Sequence, residues 1–279
     1  MSTFDEKILN VIKSISGTGK NPLTGKWVSI LGDSLSTFEG WSYDTQGVND
    51  HYGPNSVGTT RDNNDVVKVD QTWWYKLLTS CGAKLCVNNA IGSSRVTARE
   101  GIVTDAIARV NRNELIRQVG KTYINLDGTR EVATEEVIPD VVIIFMGTND
   151  YINKVPLGRP EGGINGSNFD KLEEGTFAQG YFKMLTDINS KLNKADVYIM
   201  YPLCAGDIFF KNGDIFADDY YTVIDELARL YTMRVIPNNA MVKSNKYNNY
   251  ASMDNTKIHY MKDSMNKLYE GINRFMMSC

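Results

Sequence analysis

One apolar run near the middle of the chain constrains the fold more than any other feature. Residues 141–146 read Val-Val-Ile-Ile-Phe-Met and follow Pro139. A continuous run of β-branched and apolar residues, without polar alternation, is typical of a strand covered on both faces. Such strands occur almost only in parallel sheets, so the run predicts the central strand of an α/β fold.

Further strands and helices are predicted to alternate along the rest of the chain. We predict strands at residues 27–31, 84–88, 196–201 and 233–236, and helices at residues 73–80, 101–119, 177–192, 218–232 and 264–276. This alternation favours a doubly wound parallel sheet with helices on both faces. The Asp-Gly pair inside residues 123–132 predicts a β-hairpin inserted into that sheet.

We expect an N-terminal helix and linker at residues 1–25 and a single domain at residues 26–279. Charged residues interrupt the apolar ones within residues 1–20, which favours a short amphipathic helix over a signal peptide. No apolar run approaches the roughly 18 residues that a transmembrane helix needs. The sequence therefore predicts a protein without a membrane span, cytoplasmic by default. The alternatives are that a leader has been removed or that the protein leaves the cell by another route.

Composition argues against two classes of function. The net charge is −3, with 30 basic against 33 acidic residues. Nothing favours nucleic-acid binding, which would need a basic stripe. The chain has four cysteines without a Cys-x-x-Cys pair, and only two histidines. We therefore expect free thiols and no metal cluster. No oligomeric state is predicted.

The first predicted strand ends in Gly32-Asp33-Ser34. Ligands of open α/β sheets bind beyond the carboxyl ends of the strands, so Ser34 falls where a substrate is expected. If a helix begins there, its free backbone N–H groups can stabilise an anion. The alternative is that Ser34 or Asp33 only caps that helix.

Two other strand ends carry groups that can donate hydrogen bonds to an oxyanion. Residues 147–150, Gly-Thr-Asn-Asp, follow the central run, and the Asn149 amide can fill this role if its strand neighbours that of Ser34. Gly92 follows the second strand, where a glycine lets the backbone N–H approach a substrate closely. Turn formation is the alternative role for both.

A serine hydroxyl needs a base, and the chain has two histidines. His51 lies in a long segment without clear periodicity, whereas His259 lies just before the last predicted helix. The loop after the last strand returns to the carboxyl edge of a doubly wound sheet, which favours His259. For either histidine a structural or surface role is the alternative.

Four blocks in this order resemble the SGNH (GDSL-type) hydrolases. They are Gly32-Asp33-Ser34, Gly92, Gly147-Thr148-Asn149-Asp150 and His259. Residues 38–41, 72–74 and 89–93 further resemble a bacterial subgroup that is linked to carbohydrate esters.

The resemblance implies a three-layer α/β/α fold with five parallel strands in the flavodoxin-like order 2-1-3-4-5. It implies that Ser34 is the nucleophile and His259 the base. The backbone N–H groups of Ser34 and Gly92, with the Asn149 side chain, would form the oxyanion hole. No metal and no organic cofactor are implied.

The histidine block departs from the family pattern. The family has Asp three residues before the histidine, and this chain has Thr256 there. Asp254, the Thr256 hydroxyl or a backbone carbonyl would then have to orient His259. Tyr260-Met261 follow the histidine in place of the usual Pro-Asn.

The leading functional interpretation is a serine esterase that hydrolyses small acyl esters, acetyl above all, on a carbohydrate. Aromatic residues could stack on sugar rings, and the candidates are Trp41, Tyr43, Tyr52, Trp73 and Trp74. Trp73 and Trp74 lie on a predicted helix, where a place in the core is the alternative.

Two other functions are kept as alternatives. A lipid-directed esterase, a lysophospholipase or thioesterase, would need an apolar acyl channel, to which residues 207–210 and 215–216 could contribute. A glycan-binding pseudo-hydrolase with weak or no catalysis would be consistent with the altered histidine block.

Overall fold

A computed structural model describes residues 21–42, 50–54, 63–203, 211–212, 215–243 and 251–278. The helix predicted within residues 1–20 lies outside these ranges. Residues 21–25 form turns before the first strand, with Leu23 buried in the core. The division into residues 1–25 and 26–279 stays a prediction.

Parallel strands form the centre of the fold. The strands are β1 (Trp27–Gly32), β2 (Lys84–Ala90), β3 (Thr122–Ile124), β4 (Arg130–Val132), β5 (Val141–Phe145), β6 (Asp196–Met200), β7 (Lys211–Asn212), β8 (Ile215–Phe216) and β9 (Arg234–Ile236). The five-stranded sheet has the order β2-β1-β5-β6-β9, and all its pairs are parallel. Counting only these five strands along the chain gives 2-1-3-4-5, which confirms the predicted order.

Two antiparallel pairs lie outside this sheet. β3 pairs with β4 across the Asp127-Gly128 turn, which confirms the predicted hairpin. Gly128 adopts φ +85°, a conformation that few residues other than glycine reach, and Asp127 Oδ1 accepts a hydrogen bond from the backbone N–H of Thr129 at 2.9 Å. β7 and β8 form the second pair.

Helices cover both faces of the sheet. They are α1 (Trp73–Cys81), α2 (Ala106–Asn111), α3 (Thr148–Ile152), α4 (Phe177–Lys191), α5 (Ala217–Leu230), α6 (Asn238–Met241) and α7 (Lys262–Ser278). One face packs against α1 and α7, and the other packs against α2, α4 and α5. None of the described helices has the length and apolar character needed to cross a membrane.

The predicted helix at residues 101–119 is wrong over most of its length, because only Ala106–Asn111 is helical. Before it, Gly101 has φ +72°, and the Asp105 carboxylate accepts two backbone N–H groups from the preceding loop. After it, Asn113 turns the chain with φ +58°. The hydrogen bonds of the Asp105 side chain and the left-handed conformation of Asn113 thus limit the helix to Ala106–Asn111, although the apolar spacing predicts a longer one. The other predicted strands and helices agree to within two residues at each end.

The two cysteines in the described ranges, Cys81 and Cys86, are free and buried, as expected. Cys204 and Cys279 lie outside these ranges.

The carboxyl ends of three strands lie level with one another. Gly32 at the end of β1 pairs with Ala90 of β2 on one side and with Phe145 of β5 on the other. Loops that leave these strands therefore start side by side at one edge of the sheet.

Arg109 of α2 ties two of these strand ends together. Its guanidinium is fully buried and donates to the carbonyl oxygens of Asn89 and Gly32, the second at 3.3 Å. It also donates to Asn89 Oδ1 at 2.9 Å and to Ser94 Oγ at 3.1 Å. Burial lowers the pKa of Arg109 to about 10, so the side chain is charged at neutral pH.

We expect Arg109→Met to lower the free energy of unfolding by about 3 kcal/mol. Methionine has a similar length but donates no hydrogen bond, so the carbonyl oxygens of Asn89 and Gly32 each lose one buried hydrogen bond. Urea denaturation measures the effect. The control is Arg274→Met, because the Arg274 side chain is 74% exposed and should contribute less than about 0.5 kcal/mol. Equal stability of the Arg109 variant and the wild type would contradict this role.

Candidate active site

Ser34 begins a short 3-10 helix, Ser34–Ser36, directly after β1. The cap of that helix is Asp33, whose Oδ1 accepts the backbone N–H of Leu35 at 3.0 Å. Since Asp33 serves as the cap, the Ser34 hydroxyl is available for another partner. Ser34 is only 4% exposed, so that partner lies among the residues that bury it.

The partner of the Ser34 hydroxyl is His259, whose Nε2 lies 3.1 Å from Ser34 Oγ. His259 lies in a tight loop. Met253 and Tyr260 form an antiparallel bridge across this loop, and the backbone N–H of Asp254 donates to the His259 carbonyl at 2.9 Å. Lys257 at the tip of the loop has φ +60°. The structure thus brings together a serine and a histidine in the geometry that proton transfer requires.

Two side chains lie at the other ring nitrogen of His259. Thr256 Oγ1 is 3.1 Å from Nδ1, and Asp254 Oδ2 is 3.6 Å from it. The Thr256 hydroxyl in turn donates to Asp254 Oδ1. Both side-chain alternatives left open by the sequence are therefore present at the imidazole together.

Asp254 is fully buried and fully ionised at neutral pH. Burial alone would raise the pKa of its carboxyl, but contacts with His259, Thr256 and Asn64 lower it to about 2. Asn64 Nδ2 lies 3.4 Å from Asp254 Oδ2 and donates to the Tyr260 carbonyl at 3.3 Å. No sequence pattern pointed to Asn64, which is separated from Asp254 by 190 residues.

The second histidine also lies at the site. The His51 ring packs on His259 with their centroids 4.3 Å apart and a tilt of 41°. The backbone N–H of His51 donates to Thr37 Oγ1, and that hydroxyl donates to the Ser34 carbonyl. Sequence reasoning weighed the two histidines as alternatives, whereas the structure stacks them and places His259 within reach of Ser34.

Asn149 lies in the first turn of α3, just after β5. Its Nδ2 donates to the Ser94 carbonyl at 3.0 Å, and this bond uses one of its two amide hydrogens. The preceding Gly147 has φ +115°, and a Cβ there would come within 3.1 Å of the Phe177 ring. This glycine therefore allows the sharp turn from β5 into the helix.

Gly92 lies in a turn after β2. The preceding Ile91 N–H donates to the Gly32 carbonyl at 3.1 Å, which holds this turn beside the end of β1. No described residue accepts a hydrogen bond from the backbone N–H of Gly92 or of Ser34. These two N–H groups and the second Asn149 amide hydrogen thus make no hydrogen bond with the described residues.

Two buried carboxyl groups, those of Asp33 and Asp150, lie just after the ends of β1 and β5. Asp150 accepts the backbone N–H groups of Val96 and Thr97, each at 2.9 Å, and burial raises its pKa to about 6. Burial also raises the pKa of Asp33 to about 7. Asp33 Oδ2 has no hydrogen-bond partner among the described residues.

The aromatic candidates for sugar stacking are mostly part of the core. Trp73 and Trp74 are fully buried, and Tyr52 is buried with its hydroxyl bonded to the Tyr260 N–H. Trp41 is partly exposed and packs against Trp74 at a centroid distance of 6.2 Å. Tyr43 lies outside the described residues.

Within the described ranges, no three His, Cys, Asp or Glu side chains are arranged to hold a metal ion. The Ser34 and His259 side chains can support acyl transfer to a serine hydroxyl with a histidine as base.

Comparisons with known proteins identify the family and the fold of the chain. The family model for GDSL-like lipase/acylhydrolase matches residues 26–265. Among solved structures, a GDSL-like lipase candidate from Bacteroides uniformis is 22% identical, with 91% of this chain and 97% of that chain covered and a TM-score of 0.61. No curated protein matches the chain.

Two further solved structures share the fold. A GDSL-like lipase candidate from Bacteroides ovatus is 21% identical, with a TM-score of 0.59 and 92% and 100% of the two chains covered. A catalytic mutant of an acetylxylan esterase from Geobacillus stearothermophilus is 14% identical, with a TM-score of 0.53 and 92% and 96% covered.

The raised pKa of Asp33 predicts a pH-dependent loss of stability. An aspartate with a folded-state pKa near 7 binds its proton more tightly than in the unfolded chain, so its stabilising effect is complete below about pH 4 and is lost as the pH rises through 7. Between pH 5 and pH 8, the wild type should lose on the order of 2 kcal/mol relative to Asp33→Asn.

Urea denaturation at several pH values tests this expectation. Asp170→Asn is the control, because Asp170 is exposed and its replacement should leave the wild-type pH profile unchanged. Parallel profiles for Asp33→Asn and the wild type would show that the buried carboxyl does not titrate in this range.

Proposed function

The chain belongs to the GDSL-like lipase/acylhydrolase family of ester-hydrolysing enzymes, and we propose that it is a serine esterase that removes small acyl groups, acetyl above all, from carbohydrates. The observation that carries the proposed mechanism is the 3.1 Å contact between Ser34 Oγ and His259 Nε2 at the carboxyl edge of the sheet. In this proposal Ser34 is the nucleophile, His259 the base and Asp254 the acidic group behind it.

The proposed reaction has two acyl-transfer steps. Ser34 Oγ attacks the ester carbonyl carbon while His259 Nε2 takes the hydroxyl proton. The tetrahedral intermediate collapses with loss of the alcohol, which leaves with the proton from His259. Water then attacks the acyl-serine with His259 again as base, and the carboxylic acid is released with Ser34 restored.

The oxyanion of each tetrahedral intermediate is proposed to bind the backbone N–H groups of Ser34 and Gly92 and the Asn149 amide. These groups lie just after the ends of three adjacent parallel strands, β1, β2 and β5. A donor in such a site typically lowers the barrier by about 3 kcal/mol, because it is oriented before charge develops. The Ser94 carbonyl fixes the Asn149 amide in advance, which supports this assignment.

The carbohydrate ester is the finer part of the proposal. It is supported by the resemblance of residues 38–41, 72–74 and 89–93 to carbohydrate-esterase sequences and by the shared fold of an acetylxylan esterase. Of the aromatic candidates described, Trp41 retains exposed surface that a sugar ring could contact. The residues named for a lipid channel, 207–210 and the side chains at 215–216, lie outside the described part of the chain.

We expect the enzyme to hydrolyse p-nitrophenyl acetate faster than the butyrate, octanoate and dodecanoate esters, and to deacetylate acetylated xylo-oligosaccharides. Ser34→Ala and His259→Ala should each lower kcat on the acetate by about 10³-fold or more. The matched control is His51→Ala, which removes the stacked ring without removing the base. We expect His51→Ala to change KM and to leave kcat within about threefold of the wild type.

The other outcomes separate the alternatives. A preference for dodecanoate would favour a lipid-directed esterase. Turnover by the wild type no faster than by Ser34→Ala would favour a glycan-binding pseudo-hydrolase. A larger loss of kcat in His51→Ala than in His259→Ala would assign the base to His51.

A further inference from the structure

Thr256 occupies the position where the family pattern places an aspartate, and it lies between His259 and Asp254. We propose that Thr256 is a positioning residue that couples the Asp254 carboxylate to the imidazole through its hydroxyl. The site would then contain a four-residue chain, Ser34–His259–Thr256–Asp254, in place of a triad. This inference rests on the proposed serine esterase mechanism.

The direct contact between Asp254 and His259 is too long for a hydrogen bond. Asp254 Oδ2 lies 3.6 Å from His259 Nδ1, whereas Thr256 Oγ1 lies 3.1 Å from the same nitrogen. The carboxylate therefore acts on the imidazole as a nearby charge. The hydrogen bond that orients the ring is made with the threonine.

The hydrogen bonds of Thr256 determine which ring nitrogen carries the proton. A hydroxyl has one hydrogen to donate and two lone pairs to accept with. Thr256 donates its hydrogen to Asp254 Oδ1 and accepts the backbone N–H of Ile258 at 3.3 Å. Its remaining lone pair faces His259 Nδ1, so Nδ1 must carry the hydrogen. Nε2 is then left with the lone pair that receives the Ser34 proton.

The loop holds Asp254 in the place from which it can orient the threonine. Asp254 Oδ1 accepts both the backbone N–H of Thr256, at 3.0 Å, and its hydroxyl. Asn64 approaches the other carboxylate oxygen at 3.4 Å. Asp254 and Thr256 are thus joined by a turn, although they are two residues apart in the chain. This turn explains how an aspartate two residues before the position of the family pattern still acts on His259.

An aspartate at position 256 would not simply restore the family arrangement. Asp254 already occupies the space next to this side chain, so two carboxylates would be forced into contact and one would be driven to take up a proton. Asp254 therefore needs an uncharged hydroxyl at position 256, and Thr256 supplies it.

The test compares Thr256→Val with Thr256→Ser on p-nitrophenyl acetate. Valine keeps the shape and removes the hydroxyl, whereas serine keeps the hydroxyl and removes a methyl group. We expect Thr256→Val to lower kcat by about 10- to 100-fold with KM unchanged, because the chemical step loses the correct tautomer and ring orientation. Thr256→Ser should keep kcat within about threefold of the wild type. Thr256→Ala should match Thr256→Val.

A double-mutant cycle with Asp254→Asn tests whether the two residues act through one chain. If Thr256 transmits the effect of Asp254, Thr256→Val/Asp254→Asn should be little worse than the poorer single variant. Additive losses, or a Thr256→Val variant with wild-type kcat, would overturn the proposal. Equal losses in Thr256→Ser and Thr256→Val would also overturn it, since shape and not the hydroxyl would then matter.

These failures differ from failure of the proposed function. The wild type must exceed Ser34→Ala in turnover for the esterase assignment to stand. If it does so and the Thr256 variants behave like the wild type, the esterase assignment survives and only the role of Thr256 is rejected.

Discussion

The parallel register of the central sheet is the constraint on which the site depends. Because Gly32 pairs with both Ala90 and Phe145, three loops leave the sheet at one level. The first loop carries Ser34, and the other two carry Gly92 and Asn149. The buried Arg109 guanidinium fixes two of these ends by binding their carbonyl oxygens. The site therefore depends on the edge of the sheet at which these three loops begin.

The histidine loop is assembled differently, from buried polar groups that satisfy one another. Asp254 lies at its centre with no solvent exposure, and its charge is stabilised by the hydrogen bonds that the carboxylate accepts. An ionised carboxylate in such surroundings is costly unless every lone pair is used. The hydrogen bonds that Asp254 accepts offset this cost. They also orient the Thr256 hydroxyl, which in turn orients the imidazole of His259. Stability of the loop and orientation of the histidine thus have a common origin.

The sequence was sufficient to predict the sheet and the strand ends that carry Ser34, Gly92 and Asn149, because apolar periodicity and glycine-rich strand ends are local signals. It failed at residues 101–119, where the Asp105 carboxylate organises the loop before the helix through bonds to Arg95 and Arg99. It also left the group behind His259 undecided, since spacing alone does not reveal that residues 254 and 256 touch. The stacking of His51 on His259 and the contact of Asn64 with Asp254 join distant segments, and no local pattern encodes them.

Identification of the nucleophile tests the account most directly. The protein would be treated with a fluorophosphonate, digested, and analysed by peptide mass spectrometry. The account predicts one stoichiometric adduct, on the Ser34 side chain, formed much more slowly in His259→Ala because the hydroxyl then lacks its base. An adduct on a different side chain, or no adduct in the wild-type protein, would contradict the assignment of Ser34 and His259 as the reacting pair.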